Sequence, residues 1–508
     1  MARIDFCRLK NGRCAATAEM VSHQVVFRRR YQGGTTSHPE ARSLDRPLCF
    51  FGILDEVHRP GQHKYAILPI LMDPAHNLDN AYVSGVQTDL NLHGNELVQL
   101  QTMYTLGAVL GQIPFAYLFT KFPMSWLIPF LDIAWGIFTL LQYRVTSYSE
   151  LAAYRFLVGW FEAAFFPGMH YIFGAWYRGD EIARRGGVFY VGLTLGTLTA
   201  SLIQAGASSR LDGVNGLAGW RWMYIICAVI TIPIGILGYF ILPGTPDKPN
   251  KLILKDRDIE VAQNRLKRAG HGIAGTFKWK TPIDILRNWK FWAFLWLDIF
   301  FWNACYNTNA GGYLLWLKSL DRYSTSKVNE LNAIAPALGI FYTLFICFAS
   351  DLVLGPAWAI TVAHTWNIVG LIILVVWKVP ESSLWFAFAT TYSSVAMSSV
   401  LYGWMNSELR YSPIVRAVVL VTTTVIAQST TIWTPLLVFK TVEGPRFTKG
   451  YSFVLANAIC LILTAHLIRY LTTREGKRRN SEIEGQDSVG SGEDAQDPEA
   501  VNYTVHPK

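Results

Sequence analysis

The chain has 508 residues, of which 51% are hydrophobic and only 16% charged, with a net charge of +9. Soluble proteins carry about 25% charged residues, so the deficit points to a membrane protein. Its 18 Trp, 23 Tyr and 29 Phe suit interfacial belts. The positive charge is not gathered with aromatics on a soluble module, which argues against nucleic-acid binding. The seven cysteines show no CxxC or Cys/His ligand spacing. HExxH, a phosphate-binding glycine loop and Asp/His clusters are also missing, so no catalytic residue, metal or cofactor is expected.

Residues 1–64 mix basic, His, Gly and Pro positions with no sustained period and no legible signal peptide, and are expected to be poorly ordered. Tyr65–Met72 (YAILPILM) is apolar but short, since a helix needs about 20 residues to cross a bilayer. Full spans are expected at Leu97–Thr120, Met124–Tyr143, Tyr148–Phe173, Gly186–Ala207 and Trp220–Leu242. The first of these holds Gly107, Gly111 and Pro114, small residues that let helices approach closely. After Pro243-Gly244-Thr245-Pro246 the chain turns polar, and LILKDRDIEVAQNRLKRAG has the period of a surface amphipathic helix. Later spans are expected at Lys290–Leu317, Val328–Ser350, Leu354–Trp377, Leu384–Trp404, Pro413–Phe439 and Tyr451–Leu471, before a charged tail.

Leu151–Tyr177 is the stretch around which the rest is organised. It is apolar, yet it carries Arg155 and Glu162. Seven residues at about 100° each put both side chains on one face, roughly two turns apart. Ionisable groups at membrane depth cost about 2.5–3.5 kcal/mol on insertion scales and persist where they face a water-filled path or a partner. One reading is a guanidinium that holds an anion beside a carboxylate that takes a proton; the other is an ion pair locking helices.

Lysine and arginine are about twice as frequent in the loops on the side of the central linker as in those on the other side. The linker and both termini are therefore expected to be cytoplasmic.

Several blocks resemble fungal anion:cation symporters of the major facilitator superfamily, the group containing allantoate, nicotinate, biotin and pantothenate permeases. They are RFLVGWFEAAFFPG (155–168), WYRGDEIARR (176–185) and GWRWMY (219–224) with ILPGTPDKP (241–249). NAYVSG, NLHGNEL and GWMNSELRYSPIVRA look most like the pantothenate-type branch. The resemblance implies an all-α membrane protein of the major facilitator fold, with about twelve helices in two six-helix halves. It also implies a central site, a proton as coupling ion, and uptake of a small organic carboxylate by alternating access. At matching positions it makes Arg155 the anion-binding residue and Glu162 the proton carrier. Where relatives have a complete first helix ending in an LDxxN-like motif, this chain has only YAILPILM and Leu78-Asp79-Asn80. The first helix is thus expected to be degraded, through real loss or a misassembled reading frame, with Asp79 standing for the motif's acid.

Other polar residues are cavity candidates. Asn303 and Asn307 are four apart, as on one helix face, and either contact substrate or tie helices. Tyr104, Gln428, Trp433 and Tyr402 are further, weaker cavity candidates, Tyr104 and Gln428 among them for substrate binding. His170 and His364 read as packing residues, and Gly311-Gly312 as a hinge or a packing notch. Glu181, Arg184 and Arg185, in the loop between two spans, are candidates for gating ion pairs. The expected organisation is 1–64 irregular, 65–242 a first half, 243–289 a linker, 290–471 a second half and 472–508 a disordered tail. A monomer in the plasma membrane is expected.

Overall fold

In a computed structural model of the chain, the structure describes residues 74–176, 179–246, 248–257, 259–260, 264, 285–409 and 413–493. The irregular start, YAILPILM and most of the expected amphipathic linker helix lie outside the described residues. Those described belong to one compact unit, Lys64–Lys508.

They are almost wholly helical. The first half holds α1 (Pro74–Ala81), α2 (Glu96–Lys121), α3 (Met124–Leu141), α4 (Tyr148–Glu162), α5 (Phe165–Trp176), α6 (Gly179–Arg210) and α7 (Gly219–Ile241). A two-stranded hairpin, β1 (Gly244–Thr245) with β2 (Lys248–Pro249), opens the linker. The second half holds α8 (Trp289–Ala304), α9 (Gly312–Ser319), α10 (Thr325–Asn332), α11 (Ile334–Ala349), α12 (Pro356–Val376), α13 (Glu381–Ala389), α14 (Ser398–Glu408), α15 (Pro413–Val438) and α16 (Thr448–Glu493). Six helical stretches among the described residues are long and apolar enough to cross a membrane. Their outward faces carry Trp126, Phe130, Phe240, Phe341 and Leu463, all exposed, as a lipid-facing surface requires.

The first helix is described from Pro74 onward. Asn80–Gly85 forms part of it: α1 runs on through a π-helical turn, Tyr82–Val86, to Gln87–Asp89. Leu78, Ala81, Tyr82, Val83 and Val86 are buried against the bundle, and this burial holds a segment that hydropathy alone does not mark. Gly85 sits at φ 127°, a conformation open to glycine, and kinks the segment. The Trp220 indole N–H donates to Asp89 at 2.7 Å and pins its end.

Three spans that read as continuous are broken. Between α4 and α5 the helix yields at Ala163-Ala164, because Pro167 has no N–H to offer the Ala163 carbonyl and its ring crowds it. Between α8 and α9 the chain passes through a 3₁₀ turn, Tyr306–Thr308, and Gly311 at φ 63°. Between α13 and α14 a run of hydroxyl residues bonds its own backbone: Thr390 to Ala387 O at 3.1 Å, Ser394 to Thr391 O at 2.9 Å. Irregular backbone at membrane depth is tolerated where it is buried in protein or lines a cavity. The tail also differs: α16 stays helical to Glu493, well past Leu471, since no proline interrupts it before Pro498.

The halves meet through α6 against α10, α11 and α14, and through α2 against α15. At the end remote from the linker the seam is polar. Asn332 Nδ2 donates to Asn80 at 3.2 Å and to Ser201 at 3.1 Å, Asn329 Nδ2 to Ser84 at 3.0 Å, and Ser326 to the Ala205 carbonyl at 2.9 Å. Towards the linker end it is aromatic and small: Tyr402 lies on Phe166, and a Cβ placed on Gly187 would touch Cys347 at 3.0 Å.

Candidate functional site

Helix α4 starts where Ser147 caps it, its hydroxyl accepting the Glu150 N–H while Glu150 accepts the Thr146 N–H at 2.9 Å. It then packs on α2 main chain to main chain. A Cβ on Gly159 would stand 2.1 Å from the Tyr104 carbonyl oxygen, and one on Gly107 would stand 2.1 Å from that of Phe156. Only glycine permits this approach. Gly107 has the packing role read from sequence; Gly159 adds the reciprocal contact.

This seam delivers Tyr104 to the α4 face that bears Arg155 and Glu162. The Tyr104 hydroxyl donates to Glu162 Oε2 at 2.6 Å, a short charge-assisted geometry. The Arg155 guanidinium lies over the Tyr104 ring at 4.9 Å, a cation–π contact. Arg155 is 1% exposed, whereas Glu162 and Tyr104 are half-buried. One phenol therefore touches both charged residues.

Asp79 of α1 joins from the side. Gln101, one turn from Tyr104 on α2, donates to Asp79 Oδ1 at 2.6 Å and reaches the Asn309 carbonyl at 3.4 Å. Tyr224 of α7 lies close enough to interact electrostatically with both Arg155 and Asp79. Across the seam, a Cβ on Gly311 would meet the Asp79 carboxyl at 3.3 Å. Gly312 is a packing notch, since a Cβ there would strike the Tyr451 hydroxyl at 2.3 Å. Between α1 and the broken helices of the second half lies a cavity of mixed lining, its polar wall including Asp79, Asn80, Asn307, Thr308, Asn332 and Thr391 and its apolar wall Leu314, Leu374 and Phe388.

Asn303 and Asn307 do not share a helix face, since only Asn303 lies in α8. Asn303 is occupied within the second half, donating to Thr430 at 2.7 Å and accepting from Thr434 at 3.3 Å, so it ties α8 to α15. Asn307 lies past the helix end, lines the cavity and donates to Asn367 of α12 at 3.1 Å. The four-residue spacing misleads because α8 stops at Ala304. Gln428 does not stand alone in the cavity; it accepts a short hydrogen bond from Gln112, which joins α15 to α2 across the halves. Trp433 is exposed on the outer surface. His170 bonds the Phe166 carbonyl at 2.9 Å among aromatic rings, and His364 is wholly buried. Glu181, Arg184 and Arg185 fall in the first turns of α6 rather than in a loop, and their side chains lie outside the described residues.

Sequence reasoning missed Gln101, Gln112, Tyr224 and Asp298. Gln101 and Gln112 had a usable signal, since amides in an apolar helix need partners. Asp298, inside WKFWAFLWLDIFFWNA, is as conspicuous a charge as Arg155.

This architecture, two helical halves around a polar centre with broken helices at the cavity, defines a membrane transporter rather than an enzyme. The Major Facilitator Superfamily family model matches residues 77–413, and the chain belongs to that superfamily. It is 38% identical over 411 residues to the vitamin H transporter of Saccharomyces cerevisiae, covering 79% of this chain and 69% of that one. The pantothenate transporter liz1 of Schizosaccharomyces pombe is 29% identical over 418 residues, covering 81% and 80%. Among solved structures, the proton:xylose symporter XylE aligns with a TM-score of 0.61 at 14% identity, covering 80% of this chain and 94% of that one, a likeness of fold.

Proposed function

We propose that the chain is a proton-coupled importer of a small vitamin carboxylate. What carries the reading is the single phenol that touches Arg155 and hydrogen-bonds Glu162. In this cycle an incoming carboxylate pairs with Arg155 and draws the guanidinium from the Tyr104 ring, while Glu162 takes a proton and changes what the Tyr104 hydroxyl can donate to. Anion and proton then influence one another through one side chain. Asp79, held by Gln101, adds a carboxylate at the cavity edge, where it excludes anions not accompanied by a proton. Asn307, Thr308 and Thr391 offer amide and hydroxyl groups to the uncharged part of the cargo.

The pantothenate-like blocks favour pantothenate, whereas the 38% identity to a vitamin H transporter, against 29% to liz1, favours biotin. Biotin is the better-supported cargo. The loop charges support a cytoplasmic linker and termini; a plasma-membrane location and import direction belong to the same proposal. Glu181, Arg184 and Arg185, at the cytoplasmic start of α6, supply gating ion pairs in this scheme.

The test is labelled biotin uptake by the purified full chain in liposomes, driven by an acidic exterior and competed by pantothenate, nicotinate and allantoate. Glu162→Gln is expected to abolish acid-driven accumulation while leaving counterflow exchange, and Arg155→Ala to abolish both. Uptake with normal pH dependence in both variants overturns the site assignment. Absence of flux with any of these anions overturns the transport reading in favour of a membrane sensor.

A further inference from the structure

A second acid lies buried in the other half, outside the site described above. Asp298 of α8 is 0% exposed. Its Oδ1 accepts the Tyr402 hydroxyl at 3.0 Å, and that hydroxyl in turn accepts the Trp302 indole N–H at 3.1 Å. Its Oδ2 is buried with no hydrogen-bond partner. Thr423 and Thr424 of α15 lie beside it, but their hydroxyls donate to the Leu420 carbonyl at 3.3 and 2.8 Å.

No lysine, arginine or histidine among the described residues forms an ion pair with Asp298. The titratable groups facing it are Tyr402 of α14 and Tyr190 of α6. Charged groups of α16, which also packs on α8, are engaged elsewhere: His466 with Thr361, Arg469 over the Trp358 ring, and Glu475 with Lys290. Lys290, at the start of α8, is shared between Glu475 and Glu408.

Tyr402 is also where the halves touch. Its ring lies 5.4 Å from those of Phe166 and His170 on α5. His170 is itself held by the Phe166 carbonyl. Asp298 is thus one hydrogen bond from the aromatic seam at the linker end.

From this arrangement we infer that Asp298 is a second proton-binding carboxyl, which holds its proton while the linker-end seam is closed and gives it up when the seam parts. The inference rests on the symport reading above. A buried carboxylate with one oxygen bare is poorly compensated, whereas a proton on Oδ2 removes the charge and leaves Oδ1 to accept from Tyr402. When α5 draws away from α14, water reaches both oxygens, the Oδ2–H bond breaks, and the proton leaves on water with the carboxylate hydrated in its place. Proton release is then tied to opening on the side where cargo leaves. Asp298 positions Tyr402 and carries a proton; it does not touch the cargo.

The experiment is infrared difference spectroscopy of the reconstituted full chain on raising pH, paired with the proton-to-biotin ratio and counterflow in the same liposomes. Wild type is expected to lose a carboxylic-acid C=O band that Asp298→Asn lacks. The variant should keep at least half of wild-type counterflow while acid-driven accumulation falls tenfold or more. Tyr402→Phe, which keeps the carboxyl and removes its donor, should shift the same band. Identical difference spectra in wild type and Asp298→Asn overturn the proposal, as does an unchanged proton-to-biotin ratio. Should Asp298→Asn fail to fold, an unmoved band in Tyr402→Phe overturns it instead. Wild-type liposomes that carry none of biotin, pantothenate, nicotinate and allantoate would sink the symport reading, and the infrared band still decides whether Asp298 holds a proton.

Discussion

Tyr104 is the residue on which the two charges of α4 converge. Removing its hydroxyl leaves the cation–π contact and deletes the bond to Glu162. A hydrogen bond to a charged group contributes about 1.5–3 kcal/mol, or roughly 10- to 100-fold in an equilibrium. Tyr104→Phe is therefore expected to lower acid-driven uptake by about that factor with biotin affinity nearly intact, read as a split between maximal rate and half-saturation. Arg155→Lys should do the reverse. It keeps a charge but loses the planar group that stacks on the ring, so half-saturation rises while the pH profile stays. Arg155, Glu162 and Tyr104 were legible as candidates because charge and polarity are conspicuous in an apolar context, whereas Asp79 was reached only through the family resemblance. The bonding of Asn303 was not, because spacing tells which face a residue occupies only while the helix lasts, and α8 ends one residue later. Nor could spacing show that Gln428 meets Gln112, a contact 316 positions apart in the chain.

At the level of elements, the α2–α4 seam is the scaffold on which the candidate site depends. Any side chain larger than hydrogen at Gly159 must push apart two backbones already in contact. Overpacking of this kind costs about 1–3 kcal/mol, and more where main chain is the obstacle. Gly159→Val is expected to reduce the yield of monodisperse protein and lower its thermal midpoint in detergent, whereas Gly206→Val, at a position with nothing within 4 Å, should change neither. The breaks in α4–α5, α8–α9 and α13–α14 were invisible to hydropathy because each flank is apolar and the run as a whole is long enough to span. Pro167 and the Gly311-Gly312 pair were the sequence's own marks of a break. Restoring the missing N–H with Pro167→Ala is expected to preserve folding and disturb uptake, since the break follows Glu162 directly.

For the molecule as a whole, the described seam is polar at the end remote from the linker and aromatic towards the linker. Asn329 donates to Ser84 at 3.0 Å, linking α10 to the kinked continuation of α1. A Ser84→Cys, Asn329→Cys pair is expected to cross-link under oxidant and stop biotin uptake, with reductant restoring it and either single variant transporting normally. Uptake that survives complete cross-linking would show that this end need not open. The two-half layout and most span positions were readable from hydropathy and the central linker. The helical state of Pro74–Asp89 was less legible, because α1 is held by burial against neighbouring helices rather than by its own apolar length.

The glycine seam between α2 and α4 has a consequence for anyone wishing to give this carrier new cargo. Side chains can rotate out of the way; a main chain cannot. The piece of the molecule proposed to read the acid group is thus cast as a single block, and variation there is expected to be paid in lost protein rather than altered preference. Libraries aimed at Asn307, Thr308 and Thr391 instead sample a wall whose backbone is already irregular, so that is where a changed appetite should first emerge.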